Sequence, residues 1–197
     1  MRYIKVFAPG TVANLGCGFD VMGLTLDGVG DLLEVGIEEG AGGLVIRNRS
    51  GKELPAKNED NVITPAVMAL LGAYEKPVRV EVTILEKIAP GSGIGSSAAS
   101  SAAAVWGVND CWDVLFRGAL VEFAMMGRGA HRRYVPCRQR LACVLGGVVL
   151  IRGVRTAGHR APACPRGLFL CRGASRHRGQ YQAGARSAPR EVPCTMP

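Results

Sequence analysis

Alternating apolar and polar residues along the chain predict half-buried β-strands. Val78 to Ile84 shows the clearest alternation, and Tyr3 to Ala8 repeats it at the start of the chain. Because a strand turns successive side chains to opposite faces, this period puts all the apolar residues on one face. Two further strands are expected over Asp31 to Glu38 and Leu44 to Arg47, with a turn at Gly40 to Gly43 between them.

Helical spacing of apolar residues predicts the remaining elements of the first part of the chain. The run from Pro65 to Leu71 suits a helix with one apolar face, capped by Asp60 or Asn61. An alanine-rich run from Ala98 to Val108 and the segment Leu120 to Gly127 are also typical of helices. Strands and helices together predict a mixed α+β fold.

A glycine- and serine-rich stretch joins the predicted strand that ends at Glu86 to the alanine-rich helix. Three glycines and four serines fall within Pro90 to Ser100. Glycine allows a positive φ, so several backbone N–H groups can point at one anion, and a helix N-terminus adds the positive end of its dipole. The stretch therefore predicts a phosphate cradle.

This cradle is not a Walker loop, because no lysine follows its last glycine. It is not a dinucleotide-binding fingerprint either, because its glycine spacing is different. It resembles the phosphate loop of GHMP kinases, Pro-x-x-x-Gly-Leu-Gly-Ser-Ser-Ala, with isoleucine in place of leucine. The resemblance implies a GHMP kinase fold that uses ATP and Mg²⁺, with Ser97 as the first candidate for the Mg²⁺ hydroxyl and Ser96 as the second. The residues expected to bind ATP are Pro90, Gly91, Ser92, Gly93, Ile94, Gly95, Ser96, Ser97, Ala98, Ala99 and Ser100.

A second motif lies near the start of the chain. The segment from Pro9 to Asp20 resembles the N-terminal signature of homoserine kinases, Pro-x-x-x-Ala-Asn-Leu-Gly-x-Gly-Phe-Asp. The resemblance implies that Asn14 and Asp20 help to bind an amino-acid substrate, L-homoserine, whose hydroxyl would be phosphorylated to give O-phospho-L-homoserine on the route to threonine. A carboxylate suits an α-ammonium group, and an amide suits a carboxylate or hydroxyl. The alternative is that both residues cap turns around glycines.

Charge divides the chain at about residue 109. The net charge is +8, yet residues 1–109 hold nine basic and twelve acidic residues, whereas residues 110–197 hold fifteen arginines, no lysine and four acids. All three histidines and six of the seven cysteines lie in this second part. A basic nucleic-acid arm would mix lysine with arginine, and the cysteines form no C-x-x-C pair, so neither a nucleic-acid module nor a metal or disulfide module is favoured.

A shifted reading frame explains the second part better. Codons for Val135 to Cys143, read one base later, can encode Phe-His-Ala-Asp-Asn-Val-Ser-Pro, which resembles a homoserine kinase segment. Asp110 to Phe116 and Arg176 to Pro189 also yield family-like strings in family order. We therefore expect frameshifts after about residue 109 and a truncated C-terminal domain. A buried strand is predicted over Val144 to Arg152.

These inferences give a definite expectation for the whole chain. Residues 1–152 would form the N-terminal ATP-binding domain, family-like to residue 109 and patchy beyond it, and residues 153–197 the start of a second domain that is out of frame or disordered. The kinase would be cytoplasmic, with no membrane or nucleic-acid partner; a homodimer is compatible with the sequence. For the polypeptide as it stands, we expect poor folding and little or no activity. The open alternatives are another GHMP small-molecule kinase and an inactive nucleotide-binding fragment.

Some residues receive no catalytic role from the sequence. No general base is assigned, and none of the three histidines is given a function. The family resemblance places an acidic Mg²⁺ ligand just after Met126–Gly127, where this chain has Arg128, a cation that would oppose metal binding. Lys87, just before the loop, has two interpretations: a lysine that extends toward phosphate and, preferred here, an exposed lysine at a strand end.

Overall fold

A computed structural model describes residues 1–40, 42–73, 77–112, 115, 117–126, 137–151 and 159–160 of the chain. All of these residues lie in a compact unit, Met1–Cys164. The predictions for Arg128 and for the chain beyond residue 160 lie outside the described residues. For Asp20, the structure describes the backbone and not the side chain.

The described residues form one sheet and four helices, which confirms the predicted α+β class. The strands are β1 (Arg2–Leu15), β2 (Gly18–Glu39), β3 (Gly43–Asn48), β4 (Val78–Glu86), β5 (Val148–Ile151) and β6 (His159–Arg160). The helices are α1 (Ile63–Gly72), α2 (Ser96–Trp112), α3 (Arg117–Met126) and α4 (Cys137–Leu145), and a 3-10 turn spans Asn58–Asp60.

The long strand β2 organises the sheet. It pairs with β1 along most of its length, with β4 through Leu32 to Glu39, and with β5 through Met22 to Leu24. These pairings are antiparallel, whereas β3 and β4 run parallel and are connected through α1. Because β1 and the end of β4 both lie beside β2, the two sequence motifs come to the same part of the sheet.

Helix α2 packs close to the sheet. Its buried side includes alanines such as Ala99, Ala103 and Ala104, which have small side chains. A Cβ atom built on Gly107 would lie 2.6 Å from Cγ2 of Val35 in β2, so no larger residue fits there without movement. This close approach holds the helix axis, and with it the helix N-terminus, against the central strand.

Helix α1 begins after Val62, which is its N-cap and makes no side-chain capping bond, so neither Asp60 nor Asn61 is the N-cap that the sequence predicts. Its buried residues follow the spacing of a single apolar face, and they are Ile63, Ala66, Val67 and Leu70. Asn61 Oδ1 accepts a hydrogen bond of 3.1 Å from the Ile63 backbone N–H, which is the local bond expected of a capping asparagine. Asp60 instead ends the 3-10 turn.

The prediction of a strand over Val144 to Arg152 is wrong at its start. Val144 and Leu145 end α4, and the strand β5 begins only at Val148. Gly146 and Gly147, both at positive φ, separate the two elements, and Gly146 N–H bonds to the Ala142 carbonyl at 2.8 Å. A helix C-terminus followed by left-handed glycines is a common termination, and it overrides the apolar run in the sequence.

Helix α4 also lies within the stretch for which a shifted frame is predicted. It buries the apolar side chains Leu141, Ala142 and Val144, but it also buries Gln139 and Arg140, the latter 1% exposed. A guanidinium in the interior is costly to desolvate, and residues of this type are rarely so buried. Polar residues at core positions are what a stretch read out of frame would place in a helix of the native fold.

An ion-pair cluster on β4, in which two half-exposed arginines cover the buried Glu81 carboxylate, gives the first testable prediction. Arg47 and Arg79 donate to the Glu81 carboxylate at 2.8 and 2.9 Å. Burial acts to raise the pKa of Glu81, but hydrogen bonds from the two arginines outweigh it and lower that pKa below its ordinary value of 4.5. A depressed folded-state pKa stabilises the fold above pH 4.5, and this stabilisation is lost as pH falls through the folded pKa.

We therefore expect stability to fall less steeply on acidification in Glu81→Gln than in the wild type. Urea unfolding midpoints measured at steps between about pH 3 and 6 would test this. Glu59→Gln is the control, because Glu59 and its partner Lys57 are both 74% exposed. Equal pH slopes for the wild type and Glu81→Gln would contradict the assignment.

Candidate phosphate-binding site

The predicted cradle has the backbone conformation of an anion-binding loop. Gly91, Gly93 and Gly95 all have positive φ, at 78°, 76° and 78°. Alternation of left-handed glycines with other residues curves the chain so that successive N–H groups face one concavity. The sequence predicted glycine flexibility at this loop, and the structure shows all three glycines in that conformation.

Helix α2 begins directly at the end of this loop. Ala98 and Ala99 donate their backbone N–H groups to the Gly95 carbonyl at 2.8 and 2.9 Å. The amides of Ser96 and Ser97 precede these first bonds, so they have no acceptor within the helix. The positive end of the helix dipole adds to these donors, which makes the junction a favourable position for phosphate.

Strand β1 supports the loop from below. The Thr11 backbone N–H donates to the Ile94 carbonyl at 2.8 Å. A Cβ atom on Gly95 would lie only 2.3 Å from Oγ1 of Thr11, so the loop and the strand are in direct contact. Thr11 is fully buried. The glycine at position 95 is thus required twice, by its positive φ and by this close approach.

A buried ion pair lies next to the loop. Lys87 Nζ and Asp31 Oδ2 are 2.7 Å apart, and their side chains are 4% and 0% exposed. The prediction of an exposed Lys87 is therefore wrong. The lysine follows the end of β4, but the sheet places it against β2, where the Asp31 carboxylate lies. Ion pairs shielded from water in this way interact far more strongly than exposed ones.

Further hydrogen bonds join this pair to both ends of the loop. Asp31 Oδ1 accepts from the Ile88 backbone N–H at 2.8 Å, and Oδ2 accepts from the Ser100 hydroxyl at 2.6 Å. Lys87 Nζ donates to the carbonyl of Ser96 at 2.8 Å and also to its hydroxyl oxygen. The Ser96 hydroxyl in turn donates to the Ile88 carbonyl at 2.8 Å.

The electrostatic setting of Lys87 has two opposed components. Burial lowers the pKa of Lys87 below that of an exposed lysine, while the Asp31 carboxylate and its hydrogen bond act to raise the same pKa. The neighbouring thiol of Cys143 is buried too, and burial raises its pKa to about 12. This thiol donates to the Pro9 carbonyl at 3.3 Å and stays protonated at neutral pH.

The two serines proposed for Mg²⁺ differ in their surroundings. The Ser96 hydroxyl is buried and already both donates to Ile88 and accepts from Lys87. Ser97 is half-buried, and its hydroxyl makes no comparable pair of hydrogen bonds with the residues that the structure describes; its carbonyl accepts from the Ser101 hydroxyl at 2.9 Å. A hydroxyl engaged twice is a poor metal ligand, so the geometry favours Ser97.

The predicted substrate residues lie at the tip of the β1–β2 hairpin. Asn14 is exposed, has a φ of 63°, and coincides with a register shift in the pairing of β1 with β2. Asparagine tolerates this left-handed conformation better than most residues, and bulges often redirect side chains near functional sites. The backbone of Asp20 lies in β2, and its side chain is outside the described part of the chain.

A separate cavity of about 290 Å³ lies near the start of α1. Its lining includes Ile46, Leu54, Asn58 and Asn61. Ser101 of α2 donates its hydroxyl to the carbonyl of Val62, the next residue after Asn61, at 3.3 Å. The cavity is therefore close to the first turns of the helix that begins at the phosphate loop.

Neither a cluster of metal-ligating side chains nor a membrane-spanning helix occurs in the part of the chain that the structure describes. It contains no group of three or more His, Cys, Asp or Glu side chains suited to a metal ion. None of its helices is long and apolar enough to span a bilayer.

Three residues that support the phosphate loop were not assigned to the site from the sequence, and they are Thr11, Asp31 and Lys87. Asp31 was expected only as the first residue of a strand. Asp31 and Lys87 stand 56 positions apart, so no local spacing links them. The one available signal is an aspartate at the start of an otherwise apolar run, where a buried charge requires a partner.

The glycines of the loop give the second prediction. Gly95→Ala combines an unfavourable positive φ with a clash against Thr11, whereas Gly91→Ala, with the same φ of 78°, meets nothing within 4 Å. The φ term costs roughly 1–2 kcal/mol at either position. We expect Gly95→Ala to lower the free energy of unfolding more than Gly91→Ala does, as measured by urea denaturation.

A third variant isolates the clash. Thr11→Ala in the Gly95→Ala background removes Oγ1 and should recover part of the loss. If Gly91→Ala and Gly95→Ala lowered stability equally, the close contact between β1 and the loop would be contradicted.

Comparison with known proteins agrees with this geometry. Residues 61–147 match the GHMP kinases N terminal domain. A curated homoserine kinase of Methanocella arvoryzae is 37% identical over 152 residues, which covers 77% of this chain and 48% of that protein. A curated homoserine kinase of Methanococcus maripaludis is 30% identical over a region that covers 76% of this chain and 50% of that protein.

A solved structure is similar in both sequence and fold. Homoserine kinase from Cytophaga hutchinsonii superposes with a TM-score of 0.67 at 34% identity, covering 78% of this chain and 49% of that chain. The chain thus spans about half the length of the curated relatives that it matches. Its phosphate loop, its sheet and these similarities together show that the chain carries a GHMP kinase N-terminal domain.

Proposed function

We propose that this chain provides the nucleotide-binding part of a homoserine kinase, which transfers the γ-phosphoryl group of ATP to the side-chain hydroxyl of L-homoserine. The observation that carries this proposal is the loop of three left-handed glycines running into the α2 N-terminus. Similarity to homoserine kinases supports the choice of acceptor.

The ATP phosphates would lie against the amides of the loop and of the first turn of α2, from Pro90 to Ser100. Ser97 is the hydroxyl that fits Mg²⁺, since its surroundings leave it available, while the other ligands would be phosphate oxygens and water. When bound, Mg²⁺ neutralises phosphate charge during transfer. We assign no metal carboxylate among the described residues.

The nucleoside would occupy the cavity that includes Leu54 and Asn61. It is lined by apolar groups and by amide side chains, which suit the faces and the polar edge of a nucleobase. Its link to α2 through Ser101 and Val62 puts it on the same side of the molecule as the first helical turns.

The amino-acid substrate would bind near the β1–β2 hairpin through Asn14 and Asp20. Thr11, which contacts the loop, and Asn14 are three residues apart on one strand, or about 10 Å. A small amino acid held near Asn14 can therefore present its hydroxyl toward phosphates at the loop. Asp20 would bind the α-ammonium group, and the Asn14 amide the carboxylate or hydroxyl.

Catalysis by these residues would act through position and charge. The loop amides and helix dipole stabilise negative charge on the phosphoryl oxygens, and the hairpin residues orient the attacking hydroxyl. Phosphoryl transfer depends chiefly on these two effects. The product would be O-phospho-L-homoserine, consistent with a cytoplasmic role in threonine biosynthesis.

One alternative has a specific observation in its favour. Because the chain spans about half the length of its relatives, a nucleotide-binding fragment without turnover would have the same loop geometry. Nucleotide binding and phosphoryl transfer must therefore be measured separately.

We also propose that the reading frame departs from the family after about residue 109. The buried Arg140 and Gln139 of α4 support this. Resequencing the DNA that encodes residues 105–197 would test it. Single-base changes that restore a His-Ala-Asp-Asn string and a longer frame are expected, and a DNA sequence that encodes the chain as it stands would contradict the proposal.

The third prediction concerns activity. Because the chain as it stands is expected to have little activity, any ADP release from MgATP should be weak, should depend on L-homoserine and should be slower still with mevalonate or galactose, as measured by a coupled assay. ATP affinity should be measured in parallel by calorimetry. Binding without homoserine-dependent release would support the inactive fragment, and release with another acceptor would overturn the homoserine assignment.

The fourth prediction separates the two serines. Ser97→Ala should raise the Mg²⁺ concentration needed for tight ATP binding, with little change in thermal stability. Ser96→Ala should lower thermal stability, because it removes the hydroxyl between Lys87 and Ile88. A Mg²⁺ dependence that changes in Ser96→Ala and not in Ser97→Ala would contradict the assignment of the metal hydroxyl.

A further inference from the structure

We propose that the buried pair of Asp31 and Lys87 is a positioning device, which holds the phosphate loop and the α2 N-terminus in their binding conformation without touching the nucleotide. The inference rests on the proposed nucleotide-binding function of the loop. Neither residue lies in the loop itself or in the matched N-terminal signature.

The contacts of Lys87 exclude it as a direct phosphate ligand in this conformation. Its ammonium group has three N–H donors, and these face three acceptors: Asp31 Oδ2, the Ser96 carbonyl and the Ser96 hydroxyl oxygen. Its side chain is 4% exposed. A phosphate in the loop would therefore meet backbone amides, with the lysine beneath them.

The pair closes the loop at its base. Ile88 and Ser96 flank the loop residues 89–95, and both are bonded to the pair: Ile88 through its N–H to Asp31, and Ser96 through its carbonyl and hydroxyl to Lys87. The direct bond from the Ser96 hydroxyl to the Ile88 carbonyl completes the closure. The two ends of the loop are thus held at a fixed separation.

A third contact fixes the direction of the helix. Ser100 lies about one turn beyond Ser96, and its hydroxyl donates to the same Asp31 oxygen that accepts from Lys87. Because two successive turns of α2 are bonded to the two members of one buried ion pair, Ser96 to Lys87 and Ser100 to Asp31, the first turn can neither shift nor rotate without breaking a bond to a buried charge.

A glycine-rich loop needs such a device. Glycine samples positive and negative φ with similar ease, so three glycines in seven residues leave the free loop many conformations. Binding would have to order the loop each time, which weakens affinity. Clamping both ends reduces the number of conformations before the nucleotide arrives.

The energetics of buried ion pairs argue against a role in overall stability alone. Neutral or apolar replacement of a whole buried pair is often neutral for stability, whereas removing one partner leaves an uncompensated charge and is strongly destabilising. A pair that served only the core could therefore be replaced as a unit. A pair that positions the loop could not be replaced without loss of loop order.

The test compares three variants of the full chain with the wild type. Lys87→Met leaves Asp31 buried without its cation and tests the single loss. The double variant Asp31→Asn, Lys87→Met removes both charges together, a replacement that is often neutral for stability. Arg79→Met is the matched control, because it removes one positive charge from β4 at an arginine that is 51% exposed.

Two measurements are made on each protein. Hydrogen exchange followed by mass spectrometry reports the protection of amides in residues 88–100, with peptides from α1 and β3 as internal references. Calorimetry reports the affinity for ATP with Mg²⁺. Thermal unfolding of each variant shows whether it is folded at the temperature used.

The expected result is selective for the loop. The double variant should remain folded, lose protection over residues 88–100 but not in α1 or β3, and bind ATP at least about tenfold more weakly. Arg79→Met should match the wild type in both measurements. If the double variant is folded and keeps wild-type loop protection and ATP affinity, the inference is overturned.

The outcome also separates this inference from the proposed function. If the wild-type chain does not bind ATP, the proposed function fails, and the exchange data alone decide whether the pair orders the loop. If the wild type binds ATP and the double variant binds it equally well, the proposed function stands and the positioning role is refuted.

Discussion

The candidate site depends on one buried ion pair. Asp31 on the central strand and Lys87 after β4 meet where the phosphate loop begins and ends, and their bonds reach Ile88, Ser96 and Ser100. Sheet, loop and helix are therefore joined at a single place. The sheet is rigid, and the glycines give the loop the backbone conformation in which its amides can donate to phosphate. The ion pair connects the loop to the sheet and so holds it in that conformation.

Local chemistry explains which parts of the fold could be predicted from the sequence. The strand β4, the local hydrogen bond of Asn61 before α1 and the glycine loop all depend on neighbours within a few residues, and the structure contains each. The sheet also buries Glu81 and Thr83 on the face of β4 that the alternation predicts to be exposed. Lys87 was predicted to be exposed because its own neighbours are those of a strand end. Only the pairing of β2 with β4 brings Asp31 to it, and tertiary pairings leave no local pattern.

Local sequence was also insufficient to predict the end of α4 and the conformation of the substrate residues. The apolar run from Val144 suggested a strand, but two left-handed glycines place a helix end before it. Asn14 was identified by resemblance, and its left-handed backbone in the β1–β2 hairpin is a feature of the folded hairpin that the motif alone does not reveal. Its role in substrate binding remains a proposal, as does that of Asp20.

The central claim is that phosphate binds to the amides of the loop and of the first turn of α2. The most direct measurement is a two-dimensional NMR titration of protein labelled with ¹⁵N-glycine and ¹⁵N-serine, using ADP and, separately, adenosine. The account predicts large shifts for Gly91, Gly93, Gly95, Ser96 and Ser97 with ADP and small ones with adenosine. Equal shifts with both ligands, or shifts that leave these five amides unchanged, would contradict it.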